Sequence, residues 1–465
     1  MSGFSVMSKE PSIIWAGIKE INDRIDAKYF HYDYMTFNLN DYDKVKNLDQ
    51  CVDFFETGVS NFNEGELRLK RLKTSNIQNN VVLYEDLIDC KIQKKDKRKI
   101  LQKGDVVLTT YGTGSIGKTA YINSDTQIVP DYTIAILRTK SNLDSGYLMS
   151  FFSSSYGNQQ VLRRVIGTSG ITLVIKPHLK DIKIPIPSPE IQKYIGDKVR
   201  RAEELREEAK AAKKDYEYII QDIYSDSNTI KFPKGFYTVQ SHDFDDKHLR
   251  IDSNFYNPLY KNGKLNSYKN VKLSKLVDLK KNCKIQAEEE YAYFEIGDLS
   301  TSNILDEKER VKGSELPGRA KLKLEKNDII VSLVQESIEV TSYVDKELHN
   351  TLTTNGCAVL MPKDKSLSGY LYAIISSKYF IAQKCRYISG TNIRSMSKDD
   401  LLDMKVPVVE DGILTKVNEL VKKEFACLRE SKKLIKEAKQ DVEDLIEGNF
   451  DMSKLDNDYT AESRC

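Results

Sequence analysis

A chain of 465 residues has room for two or three domains with proper cores, and 71 Lys plus Arg against 69 Asp plus Glu leave a net charge of +2 that neither requires nor excludes an anionic partner. Seven cysteines without a C-x-x-C pair argue against a disulfide framework or a zinc finger, and five dispersed histidines give no metal-ligand spacing. No apolar run approaches the ~20 residues of a membrane span and no charged-then-apolar signal opens the chain, so a cytoplasmic protein with no membrane and no metal is expected.

In chain order, a first globule is expected over residues 1–186. Its polar and aromatic lead-in, Arg24-Ile25-Asp26-Ala27-Lys28-Tyr29-Phe30, is followed by Val45-Lys46. Two basic clusters come next, one with Arg68, Lys70, Arg71 and Lys73, the other with Lys94, Lys95, Lys97 and Arg98. A short alternating strand over 105–110 leads into a glycine-rich run at 112–119, a short helix over 146–153, a Gly167-Thr168 turn and an extended Lys183-Ile184-Pro185 segment. Beyond Pro189, whose missing N–H suits a first helical turn, proline and glycine thin out. Ala202, Leu205, Ala209, Ala212, Tyr216, Ile219 and Ile223 then follow at alternating steps of three and four, a heptad seam on a helix over 187–224. Such a helix, ~50 Å long, cannot bury its own seam.

After a polar linker over 225–249 the chain repeats itself over 250–409. Arg250-Ile251-Asp252-Ser253-Asn254-Phe255-Tyr256 matches the lead-in, and Val271-Lys272 matches Val45-Lys46. Leu101-Gln102-Lys103-Gly104-Asp105-Val106-Val107 returns as Leu324-Glu325-Lys326-Asn327-Asp328-Ile329-Ile330, and Ser145-Gly146-Tyr147-Leu148 as Ser368-Gly369-Tyr370-Leu371. Gly167-Thr168 matches Gly390-Thr391, and Asp181-Ile182-Lys183-Ile184-Pro185 matches Asp403-Met404-Lys405-Val406-Pro407. The offset stays between 222 and 226, so a unit of roughly 225 residues is written twice. A second helix over 410–447 carries Leu414, Val421, Leu428, Ile435 and Val442 every seven residues, with Glu424 and Ser431 interrupting the other seam position; a loose tail over 448–465 closes the chain. Two helices of matching length, each following a globule, most simply pack together. The fold class is therefore α+β, two repeated domains separated by two long helices that form an antiparallel coiled coil. The plainer alternative has each helix packing on its own domain.

Three motifs invite a catalytic reading. The run G-T-G-S-I-G-K-T at 112–119 fits a P-loop, but Ala120-Tyr121-Ile122 reads as strand where a P-loop opens a helix, and the second copy has Gln335-Glu336-Ser337-Ile338-Glu339-Val340 there. A glycine-rich turn that offers N–H groups and Lys118 to another phosphate fits better. Asn257-Pro258-Leu259-Tyr260 lacks the second proline of an amino-methyltransferase motif, and Pro130-Asp131 finds its nearest D-x-K partner only in the module-ending strand at Asp181. No Ser-His-Asp or Cys-His set can be assembled. Basic runs, the two above and those with Arg319, Lys321 and Lys323, are usually solvated faces. Set among many Tyr, Asn, Ser and Thr they also suit phosphate and base-edge contacts.

The R-I-D-A-x-Y-F lead-in, the L-x-x-G-D-V-V strand, G-S-I-G-K, G-Y-L, the G-T turn and K-I-P-I-P-S-P-E-I-Q-K-Y-I before a long helix together resemble a Type I restriction-modification specificity subunit. The resemblance covers nearly the whole chain, duplication included. It implies two target-recognition domains that each read half of a split double-stranded DNA site, and antiparallel helices that hold the halves apart. It also implies two methyltransferase subunits docked on them, restriction/translocase subunits completing the complex, and S-adenosylmethionine, ATP and Mg on those partners rather than on this non-catalytic chain. The second copy departs by losing G-S-I-G-K. As base readers the resemblance and the loop positions point to Tyr111, Thr113, Thr168 and Ser169 in the first domain, and to Gln335, Ser337, Thr391, Asn392 and Arg394 in the second.

Overall fold

The computed structural model describes residues 44–62, 64–78, 80–123, 125–167, 172–224, 240, 255–257, 268–301, 304–306, 308–390, 392 and 394–455. The Arg24 lead-in, most of its Arg250 copy, and nearly all of the linker lie outside the described residues, as does most of the tail. Two compact units emerge: one takes the chain up to Glu204 together with Ser431 onward, the other is Leu205–Glu430. The division falls inside both long helices, so each unit contains its own half of the helix pair.

The first unit is built on a four-stranded antiparallel sheet in the order Val52–Thr57, Ile134–Thr139, Val106–Thr109, Thr119–Tyr121. The second unit repeats the order with Val277–Leu279, Cys357–Pro362, Ile329–Ser332 and Thr341–Tyr343. The expected alternating strands are not half-buried: Val106–Thr109 and Ile329–Ser332 are buried throughout. Both faces of the sheet are covered. Val106 and Leu108 join the large cluster with Phe151, Ile195 and Val442, while Val107 joins Leu72, Ile77 and Val82 on the other side.

Each repeated motif has a structural task. Gly104 and Asn327 take positive φ (90° and 74°), where glycine and asparagine are tolerated. The next residue closes the turn: Asp105 accepts from the Gln102 N–H at 2.9 Å, and Asp328 from the Glu325 N–H at 2.8 Å. Tyr147 donates its hydroxyl to the Pro185 carbonyl and Tyr370 to that of Pro407, at 2.9 and 2.8 Å. The I-P and V-P segments are strands that pair with the repeated Val-Lys: Val45–Asn47 with Lys183–Pro185, and Lys269–Lys272 with Lys405–Val408. The expected short helix is two helices in each unit, Ser145–Ser153 with Ser155–Arg163, and Ser368–Ile375 with Lys378–Arg386. The second of each pair is capped by the repeated serine, Ser154 or Ser377.

The glycine of G-Y-L is where this helix meets a long one. A Cβ on Gly146 would lie 2.7 Å from the Gly196 Cα, and one on Gly369 2.7 Å from Asn418 Oδ1. Gly146→Val is therefore expected to force the two backbones apart and cost about 2 kcal/mol, read by thermal or denaturant unfolding.

The long helices are Pro189–Ile223, 35 residues, and Asp411–Ile446, 36 residues. In the first unit Tyr194 meets Phe450, and Lys198 Nζ lies 2.6 Å from Asp441. In the second, Glu208 meets Cys427, and the Tyr216 hydroxyl donates to Glu424 at 2.9 Å. Later residues of one helix thus face earlier residues of the other in both units, an antiparallel pairing. Ala202, Leu205, Ala209, Ala212, Tyr216, Ile223, Val421, Ile435 and Val442 are buried, while Ile219, Leu414 and Leu428 are half-buried. Glu424 and Ser431, which look like gaps in the seam, are both 1% exposed.

Candidate nucleic-acid interface

In the first unit the strand Val106–Thr109 hands the chain to the glycine-rich run, where Gly112, Gly114 and Gly117 all have positive φ (95°, 76° and 89°). The Gly112 N–H donates to the Thr172 carbonyl at 3.0 Å, Tyr111 bridges to Leu173, and Leu173 bridges to Ile166. The glycine loop and the Gly-Thr loop therefore lie side by side, with Thr113 Oγ1 and Thr172 Oγ1 3.3 Å apart. The second unit builds the same juxtaposition from other residues. The Gln335 N–H donates to the Arg394 carbonyl at 2.9 Å, Val334 bridges to Ser395, and Ser395 bridges to Ser389. Gly167 and Gly390 open the two Gly-Thr turns at φ 106° and 109°.

Residues far apart in sequence are thus brought together. Tyr111 stands beside Leu173 and Thr113 beside Thr172, and Gln335 stands beside Arg394. Thr168, Ser169 and Thr391 lie outside the described residues. Ser337 is partly used internally, its hydroxyl 2.7 Å from that of Ser332. Tyr132, beside Pro130-Asp131, carries no motif that marks it in the sequence. It is 43% exposed and packs edge-on against Tyr111, ring centroids 5.4 Å apart, which puts an aromatic surface at the first loop pair.

Four N–H groups of the loop are taken up inside the fold. Those of Ser115 and Ile116 go to the Gly112 carbonyl, that of Gly117 to the Thr109 carbonyl, and that of Lys118 to Thr109 Oγ1. The chain then continues as the strand Thr119–Tyr121, not as a helix. The glycines serve a tight loop with many internal bonds, and Lys118, the loop's expected phosphate contact, is a half-buried side chain.

The basic candidates divide into two groups. Arg71 is held inside the fold by Asp131 and stacks over Phe62. Lys70, Lys94, Arg98 and Arg319 pair with Asp89, Glu66, Glu56 and Glu295 at the surface. Arg68, Lys73, Lys95, Lys97, Lys118, Lys321 and Lys323 enter no ion pair among the described residues. Asp131, the carboxylate of the nuclease-like dipeptide, is committed to Arg71. On the helix Lys378–Arg386, Lys384 is fully buried, and its amine is without a hydrogen-bond partner among the described residues. Burial pushes this amine down to about 8, against the opposing pull of Cys385 and Glu339. Among the described residues no helix is long and apolar enough to cross a membrane.

Residues 50–215 match the Type I restriction modification DNA specificity domain. Among solved structures, the chain is similar to the Type-I restriction-modification system S subunit from M. genitalium, at 15% identity and TM-score 0.45, over 89% of this chain and 97% of that one. It is also similar to the HsdS subunit from Thermoanaerobacter tengcongensis, at 14% identity and TM-score 0.30, over 88% and 97% of the two chains. A third similar chain comes from a structure on complex assembly and conformational transition of the type I R-M system, at 14% identity and TM-score 0.28, over 90% and 98%. No curated protein matches the chain.

Proposed function

We propose, from the match of residues 50–215 to the Type I restriction modification DNA specificity domain, that this chain is a specificity subunit in which each unit reads one word of a bipartite duplex site while the helix pair sets the gap between the words. The observation that carries the reading is the repeated juxtaposition of two loops, one following the buried central strand and one following the Gly-Thr turn. A fold conserved between the two units presents different side chains at the same place, as a reader of two different words requires. In the second unit Arg394 has the fork that matches guanine O6/N7, while the Gln335 carboxamide, whose oxygen is buried without a partner among the described residues, has to turn outward to match adenine N6/N7. In the first, Tyr111, Thr113 and Tyr132 offer hydroxyls and apolar surface suited to thymine methyl groups and base edges. Lysines that enter no ion pair among the described residues, Lys118 among them, fix the register on phosphates without reading sequence.

In this reading the chain carries out no reaction itself. S-adenosylmethionine, ATP and Mg belong to partner subunits, two that methylate and others that translocate and cut, and the complex works in the cytoplasm. A nucleotide-binding enzyme has no support in a glycine loop that runs into a strand. A coiled-coil adaptor leaves both loop pairs without a task. Arg394→Ala should relax one base position by about 1–3 kcal/mol of discrimination. Methylation mapping of a host that carries the variant is expected to show one degenerate position in one word, the other word and the gap unchanged. An unchanged site, or loss of both words with the protein still folded, would overturn the assignment.

A further inference from the structure

In the first unit the strands Leu67–Leu72 and Ile88–Ile92 form an antiparallel ribbon with Arg68 opposite Lys91 and Lys70 opposite Asp89. One face is apolar: Leu69, Cys90 and Ile92 are buried with Val59 and Val129. The other face is open, and Arg68, Lys70, Asp89 and Lys91 on it are all exposed. Lys70 is neutralised by Asp89 at 2.8 Å. Arg68 and Lys91 are like charges set directly across the ribbon, an arrangement that lowers stability. Neither has an acidic partner among the described residues.

The chain continues from this ribbon into Lys94–Lys99, where Lys94, Arg98 and Lys99 are paired with Glu66, Glu56 and Asp96. Lys95 and Lys97 remain exposed and enter no ion pair among the described residues. The second unit is an internal control. In its ribbon Glu290 lies opposite Lys312 and Ala292 opposite Arg310, and Lys312 also pairs with Glu288. The repulsion therefore belongs to this ribbon and not to the fold.

We propose that the open face of the first unit's ribbon, centred on Arg68 and Lys91 with Lys95 and Lys97 following, is a phosphate-binding surface that grips a DNA duplex without reading its sequence. A phosphate oxygen between the two cations replaces their repulsion with two charge-assisted hydrogen bonds. The duplex as ligand rests on the function proposed above; the ribbon as its contact is the new element.

Two variants of the full-length chain test it, each measured for thermal unfolding and for binding to duplexes with and without the recognised words across a salt series. Lys91→Glu creates a cross-strand ion pair with Arg68 and is expected to raise the melting temperature by about 1–3 °C. The same variant should weaken binding to both duplexes by a similar factor, and the slope of log affinity against log salt should fall by about 2, because Arg68 is neutralised as well. Lys91→Gln should lower the slope by about 1 with little change in melting. The methylated words should stay the same in both. A wild-type chain that binds DNA with its full salt slope retained in both variants overturns the ribbon alone, and so does weakening confined to the duplex with the words. A wild-type chain with no salt-dependent duplex binding overturns the reading beneath it, and the ribbon with it.

Discussion

Asp105→Ala is expected to cost about 3 kcal/mol of stability, the range for breaking a buried ion pair from one side. The carboxylate is 1% exposed and takes two hydrogen bonds from Arg138, at 2.7 and 3.1 Å, besides closing the Gln102 turn. Burial nevertheless outweighs the guanidinium and pushes the carboxyl above its ordinary range. The buried charge is thus itself a cost, and what stabilises the unit is the capped turn and the satisfied arginine. Asp105→Asn with Arg138→Met keeps an acceptor for the Gln102 N–H and removes both charges, so it should fall within about 1 kcal/mol of wild type. Asp105→Ala with Arg138→Met should stay lower, because the cap is lost. Urea unfolding of the variants checks the order.

The same aspartate shows what was legible in the sequence. L-x-x-[GN]-D recurs because a left-handed residue must precede a capping carboxylate, so the motif reports a turn wherever it stands. The partner is not legible: Asp105 takes Arg138 from the neighbouring strand, whereas Asp328 takes Lys280, just past the edge strand, at 2.7 Å. The long helices were readable from their spacing, but the seam was drawn for one partner. Each helix also packs on its globule, which widens the buried face to include Ile220 and Phe425. Glu424 looked like a flaw because only the structure brings the Tyr216 hydroxyl to it. The helix Ser155–Arg163 was missed because polar residues and Gly157 mask it; a Cβ on that glycine would lie 2.1 Å from the Phe151 carbonyl oxygen. At the loops, residue types suggested contacts with bases. The pairing of Tyr111 with Leu173 and of Gln335 with Arg394 is a product of topology, which no local pattern carries.

The central claim, two words read at a distance set by a helix pair, has a direct measurement. Inserting seven residues into each long helix at matched heights preserves the heptad seam and lengthens the pair by about 10 Å. With DNA rising about 3.4 Å per base pair, the gap in the recognised site should grow by up to about three base pairs, and by fewer if the helices lie oblique to the duplex. On this reading the words themselves should not change, because the globules read them and the helices do not. Two residues inserted into one helix alone should instead turn its seam away from its partner and abolish activity. Methylation sequencing of a host that carries the matched insertion is expected to return the two original words with a wider gap. An active insertion variant that methylates the original site with its original gap would contradict the claim, as would altered words with the gap unchanged.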